Sequence, residues 1–118
     1  MIFFTIDGDD IGRKITHAYI RNDVELLAKI SSTLATTTKD ITQILINHGF
    51  NIIFSAADGV AAYTEDNSME LTKIFESINN NLPEGITYSA GCGKTLRNAY
   101  IALLDAKSSG KNKIITFK

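Results

Sequence analysis

The stretch 50-FNIIFSAADGVAAYT-64 decides the fold. Two apolar runs, "FNIIFSA" and "GVAAYT", flank "ADG", an acidic-glycine signal for a tight turn. The pattern predicts a β-hairpin with Asp58 at its tip. Working outward, "MIFFTID" alternates and is rich in Phe and Ile, which predicts a strand over about residues 2 to 7. Between that strand and the hairpin, "IGRKITHAYIRN" reads as a short helix. "DVELLAKISSTLATTTKDITQILINHG" reads as a long one, with Asp23 as N-cap and Gly49 at the C-terminal end. Beyond the hairpin, "SMELTKIFESINNN" is an amphipathic helix ended by Pro83 to Gly85. "GITYSAG" is a strand, "KTLRNAYIALLDAKSSG" a helix and "NKIITF" a last strand.

The resulting order, β-α-α-β-β-α-β-α-β, contains βαββαβ, the ferredoxin-like arrangement. The fold class is therefore α+β: an antiparallel sheet with helices on one face, plus an extra helix and a C-terminal strand. Sheet order 4-1-3-2 puts the first strand beside the third. The C-terminal end of the first strand then adjoins the hairpin turn.

Size and composition set limits on the function. At 118 residues and 44% apolar content the chain suits one domain, 1–118, with a real core. No apolar run reaches the roughly 18 to 20 residues of a membrane span, and "DGDD" follows "MIFF" too soon for a signal peptide. A single cysteine, Cys92, forms no intramolecular disulfide and favours a reducing cytoplasm. "GCGKT" at 91 to 95 looks like a phosphate-binding P-loop, but the glycine that motif needs five residues before Gly93 is Tyr88. His17 and His48 read as helix surface and helix end.

The net charge of −1 conceals an asymmetry. Residues 1 to 93 carry 6 Lys/Arg against 12 Asp/Glu, whereas residues 94 to 118 carry 6 Lys/Arg against Asp105 alone. An acidic part able to hold metal and a basic part able to hold phosphate is one reading. A solvated basic helix is the other.

The first strand ends in Asp7, Gly8, Asp9 and Asp10, and the hairpin presents Asp58. The topology places Asp7 and Asp58 on neighbouring strands, roughly 5 Å apart at the backbone. Two carboxylates so close repel and call for a cation. Oxygen ligands without His or Cys favour Mg²⁺ or Mn²⁺ over zinc. Alternation puts Asp9 on the side of Asp7, a further candidate ligand. The Gly8 carbonyl is free to approach the ion, and Asp10 stands at an N-cap position. A plainer alternative is that these Asp-Gly pairs only form turns.

These residues carry a resemblance. "FTIDGDDIGRKI", "IIFSAADGVAAY" and the closing "AK-x-x-G-K-N" resemble the palm domain of nucleotidyl cyclases. That group includes GGDEF diguanylate cyclases, class III adenylate cyclases and the polymerase palm of type III CRISPR effectors. In length, the chain most resembles the minimal CRISPR polymerases, mCpol, of bacterial anti-phage loci. The resemblance implies that Asp7 and Asp58 are catalytic metal carboxylates, joined by the Gly8 carbonyl. It matches "AADG" to the GGDEF hairpin, with Ala56, Ala57 and Gly59 at the nucleotide. Lys107 and Lys111 match a basic pair that grips triphosphate, and Lys94 and Arg97 are further phosphate candidates. The guanine-reading positions fall at Ile15 and near Val24, which favours ATP over GTP as substrate.

The implied activity is a Mg²⁺- or Mn²⁺-dependent nucleotidyltransferase making a cyclic nucleotide messenger for anti-phage signalling. Because one palm holds one nucleotide, a homodimer is expected. A separate effector would read the product, with no direct membrane contact by this chain. Two other readings stand beside it. A catalytically silent palm would bind nucleotide or cyclic dinucleotide as a regulatory module. A ferredoxin-like RNA-binding module would need solvent-facing aromatics, with Phe3, Phe4, Phe54 and Tyr63 as candidates, but the acidic first 93 residues disfavour nucleic acid.

Overall fold

The computed structural model describes all residues 1–118. Its elements are β1 (Ile2–Gly8), α1 (Ile11–Ile20), α2 (Val24–Asn47), β2 (Asn51–Ala56), β3 (Gly59–Thr64), α3 (Leu71–Asn79), β4 (Tyr88–Gly93), α4 (Leu96–Ser108) and β5 (Ile114–Thr116). The order of elements is the one expected. The sheet runs β2-β3-β1-β4-β5, so the first four strands have the ferredoxin-like arrangement. All pairs within them are antiparallel, whereas β5 lies parallel beside β4 and makes the sheet mixed.

Period-2 alternation sorts the two faces. Phe4 and Ile6 of β1, Val60 and Ala62 of β3, and Tyr88, Ala90 and Cys92 of β4 point to one side. There they meet Ile41 and Leu45 of α2 and Ile74, Phe75 and Ile78 of α3. The two crossover helices of the core thus share one face, as expected. The extra helix α4 covers the other face, where β4 presents Ser89, Gly91 and Gly93. A Cβ on Gly91 would come closer than 3.0 Å to Leu103 N, Ala99 O and Ala102 C, so α4 rests directly on strand backbone. The small Ala99, Ala102 and Ala106 on its buried side make that approach possible.

Local signals explain most boundaries. Asp23 Oδ1 accepts from Leu26 N at 3.0 Å and starts α2, and Gly49 ends it with φ 87°. Thr95 caps α4 by accepting from Asn98 N at 3.0 Å. β4 starts at Tyr88, three residues later than the sequence suggested, because Gly85 adopts φ 82° in the turn after Pro83. Cys92 is buried on the face away from α4, with its thiol 3.1 Å from Thr116 Oγ1. Phe4 is fully buried, which removes it from any solvent-facing aromatic set.

Candidate active site

The site forms where β1 ends. Register pairs Asp7 with Gly59 on one side and with Ser89 on the other, so the hairpin tip and β4 flank it directly. Asp58 sits in the two-residue turn before Gly59. The preceding Ala57 adopts φ 51°, a left-handed conformation that costs a non-glycine residue roughly 1 kcal/mol. Thr38 of α2 holds this turn by donating its hydroxyl to Ala57 O at 2.6 Å. A Cβ on Gly8 would stand 2.6 Å from Ile11 Cγ1 and 3.3 Å from Asp58 Oδ2, so a larger residue here would displace Ile11 and crowd the Asp58 carboxylate. The structure thus brings Asp7, Gly8 and Asp58 together.

Lys107 reaches the same point from α4. Its ammonium donates to Gly8 O at 2.8 Å, to Asp9 Oδ1 at 2.8 Å and to Asp7 O at 3.3 Å. It also lies 2.7 Å from Asp7 Oδ1, at an angle outside hydrogen-bond geometry. Asp7 Oδ1 is therefore buried next to a positive charge but has no hydrogen-bond donor. Burial pushes the Asp7 carboxyl up; Lys107 lowers it, while Asp58 and Asp9 add repulsion, and the net direction is upward. Burial pulls the Lys107 ammonium down, yet its contacts with Asp7 and Asp9 outweigh this and hold it above its ordinary value.

Asp9 behaves otherwise than expected of a metal ligand. It is 3% exposed, and both oxygens are saturated. Ser89 Oγ and Lys107 donate to Oδ1, and Thr87 Oγ1 and Asn112 N donate to Oδ2, at 2.7 to 3.0 Å. Burial pushes its pKa up, but these donors, Lys107 foremost, hold it below the ordinary value. Asp9 ties β1, β4 and the turn after α4 into one unit. Its replacement by asparagine is expected to cost about 2 kcal/mol at neutral pH, the range for hydrogen bonds to a charged group. Because the folded-state pKa is lowered, this stability is present above the unfolded value near 3.9 and is lost as pH falls through the folded value. Urea unfolding of the wild type and Asp9→Asn should show a gap that is full at neutral pH and closes in acid.

Two further expectations change, those for Asp10 and for Lys94 and Arg97. Asp10 occupies the position before α1 with φ 59°, but its side chain caps nothing. It pairs instead with Lys111 Nζ at 2.5 Å and with Arg13 at 3.8 Å. Lys111 follows the end of α4 at Ser108; Gly110 takes φ 117°, and Lys111 reaches the acidic end of β1 from the turn. Lys94 and Arg97 lie at the far end of the sheet. Gly93 pairs with Phe3, four strand residues or about 13 Å from Asp7, and α4 then carries the chain back. Their charge is contiguous with that of Lys107 only in sequence, and they face solvent.

Sequence reading missed Tyr88, Thr38, Thr87, Ser89 and Asn112. The Tyr88 hydroxyl is buried without a hydrogen-bond partner. Burial, tempered by the neighbouring Thr38 hydroxyl and reinforced by Asp58 and Asp7, pushes its pKa up to about 12. Beside the hairpin a cleft of about 580 Å³ opens between α1 and α2, lined by Ile15, Tyr19, Leu27, Leu34 and Ala57 among others.

A divalent ion fits the donor set. Asp7 Oδ1 lacks a donor, Asp58 makes no hydrogen bond or ion pair, and the Gly8 carbonyl faces the same point. No group of three or more His, Cys, Asp or Glu side chains forms a complete cage.

A βαββαβ sheet with paired carboxylates at the end of β1 and a lysine above them defines a palm of the nucleotide cyclase and polymerase type. The minimal CRISPR polymerase (mCpol) domain matches residues 3–117, and the chain belongs to that family. Solved structures agree on the fold. The active GGEEF domain of a diguanylate cyclase from Vibrio cholerae superposes with a TM-score of 0.72 at 15% identity, covering 99% of this chain and 82% of that one. The GGDEF domain of DgcB from Caulobacter crescentus, in complex with c-di-GMP, gives 0.73 at 11% identity, covering 98% and 76%. A DinB family error-prone DNA polymerase from Sulfolobus solfataricus gives 0.62 at 15%, covering all of this chain and 47% of that one. A search of curated protein sequences finds no match. No helix is long and apolar enough to cross a membrane.

Proposed function

We propose that this single palm domain is a nucleotidyltransferase that makes a cyclic nucleotide messenger from NTP, with ATP preferred, in anti-phage signalling. The observation that carries the reading is the meeting of Asp7, the Gly8 carbonyl, Asp58 and Lys107 at the C-terminal end of the central strand β1. Asp7, Gly8 and Asp58 would hold Mg²⁺ or Mn²⁺, which when bound supplies acidification of a ribose hydroxyl and neutralisation of triphosphate charge.

The chain's own groups do the rest. Lys107 and Lys111 take the triphosphate and offset charge that develops on departing pyrophosphate. The attacking ribose oxygen loses its proton to solvent, since no histidine adjoins the site. Ala56, Ala57 and Gly59 leave the hairpin low enough for a nucleotide to lie across it. The cleft beside Ala57 suits a base held by apolar contact. It offers side-chain hydroxyls only from Tyr19 and Ser31, too few partners for the polar edge of guanine, which supports adenine. Joining two nucleotides takes two palms, hence a homodimer during turnover. Phe54, 56% exposed beside Gly59, leaves apolar surface on that side. A separate effector would read the product.

Incubation with each of the four NTPs and Mg²⁺ or Mn²⁺, with products read by mass spectrometry, tests the reading. A cyclic product, foremost from ATP and abolished by EDTA, is expected. Consumption of no NTP would sink it, and metal-dependent nucleotide binding without turnover would move the protein to the silent regulatory class.

A further inference from the structure

We propose that the Lys107 ammonium is the resident cation of the Asp7–Gly8 site in the free protein, and that it must leave before a divalent ion enters. The inference rests on the metal-site reading above and concerns the order in which the site is filled.

A lysine ammonium has three protons to donate. All three are used, on Gly8 O, Asp9 Oδ1 and Asp7 O, and the charge also lies 2.7 Å from Asp7 Oδ1. Two of these oxygens, the Gly8 carbonyl and Asp7 Oδ1, are ones a divalent ion at this site would need. An ammonium and a dication cannot share them at contact distance. In the same pose Lys107 has no proton left for a phosphate. Docked on β1 it therefore opposes metal, and it cannot grip triphosphate either.

Both conflicts end in one movement. A triphosphate offers Lys107 a stronger counter-charge, and the released carboxylate and carbonyl become available to the ion that accompanies the nucleotide. The side chains form no complete metal cage, so the missing ligands must come from nucleotide and water. Metal and nucleotide consequently bind with positive coupling. Lys107 keeps the acidic cluster neutralised while the site is empty. A competitor that occupies a site most of the time lowers the apparent affinity of the entrant by the fraction left free. Lys111 is the internal control: it sits nearby with the same charge, but it is held on Asp10 and touches neither Asp7 nor Gly8.

The test is Mn²⁺ binding without nucleotide, followed by the loss of the free-ion EPR signal, in wild type, Lys107→Ala and Lys111→Ala. Thermal unfolding confirms that each variant is folded, and Lys107→Met, which keeps the packing stem, replaces Lys107→Ala if that variant fails. Lys107→Ala should bind Mn²⁺ about tenfold more tightly than wild type, and Lys111→Ala within about twofold of it. A non-hydrolysable ATP analogue should raise Mn²⁺ affinity strongly in wild type and weakly in Lys107→Ala. Equal or weaker Mn²⁺ binding in both Lys107 variants overturns the exchange while leaving the metal site standing. An equal gain in Lys111→Ala also overturns it, since net charge alone would then explain the effect. Absence of Mn²⁺ binding in every protein, with or without the analogue, overturns the metal site itself and the exchange with it.

Discussion

Asp58→Ala is expected to lower the rate of cyclic nucleotide formation by about three orders of magnitude or more while leaving the protein as stable as before. A bound divalent ion supplies several kcal/mol of charge stabilisation in phosphoryl-type transfer, and about 4 kcal/mol is a thousandfold in rate. The structural half of the argument is equally specific. Asp58 makes no hydrogen bond and no ion pair within the chain, and its charge raises the Asp7 pKa by repulsion. Removing it breaks no side-chain hydrogen bond or ion pair and relieves that repulsion. A group that contributes nothing to the fold, and works against a neighbour, is one whose reason lies in a ligand. Mass-spectrometric rates and thermal unfolding on the same samples check both halves. Near-normal turnover in Asp58→Ala would remove the hairpin aspartate from the chemistry. A large fall in melting temperature would show that the residue is structural after all.

Asp9 is the opposite case, and the comparison shows what a sequence can reveal. "DGDD" presents three carboxylates within four residues, and nothing in the string separates their roles. Alternation placed Asp9 on the side of Asp7, and Lys107 does touch both. What sets them apart are partners 78, 80 and 103 residues away: Thr87, Ser89 and Asn112. Those donors turn Asp9 into a buried structural anion, whereas Asp7 Oδ1 lacks any. The hairpin, the first strand and the caps of α2 were legible because their causes are local. Turn chemistry, alternation and a capping oxygen act within a few residues.

The basic tail misled for the same reason. Lys94, Arg97, Lys107 and Lys111 form one cluster in sequence, but a helix of about 1.5 Å rise per residue separates its ends by roughly 15 Å between Arg97 and Lys107. Two of the four point into solvent at the wrong end of the sheet. The missed signal was a pattern rather than a motif. Glycines at 91 and 93 alternate on one strand face, and Ala99, Ala102 and Ala106 repeat at helical spacing. Small residues on both partners indicate that a helix sits directly on strand backbone, and this fixes where its far end arrives.

That close packing makes Gly91→Ala the largest expected loss of stability. The added Cβ would press, at under 3.0 Å, on three backbone atoms of α4 rather than on a side chain that could turn away. Interiors packed at crystal density cannot absorb such a contact, and overpacking of even side-chain atoms costs 1 to 3 kcal/mol. With backbone on the other side the cost is expected to be about 4 kcal/mol, a large share of the 5 to 15 kcal/mol that holds a domain together. Gly12 provides the contrast. A Cβ there meets nothing within 4 Å, and in the first turn of α1 alanine keeps part of its helical preference over glycine, so Gly12→Ala should stabilise by about 0.5 kcal/mol. Gly93→Ala should fall between them, since its closest neighbours, Asn98 Cβ at 2.9 Å and the backbone Ala99 N and Asn98 C at 3.1 Å, lie farther off than those of Gly91. Urea unfolding of the three variants should rank them in that order. The consequence reaches the site, because α4 brings Lys107 within reach of the end of β1, where a triphosphate would lie, only while it rests on β4. Any folded fraction of Gly91→Ala should therefore also lose nucleotide binding, and a variant that is destabilised yet binds nucleotide normally would show that Lys107 does not depend on that seat.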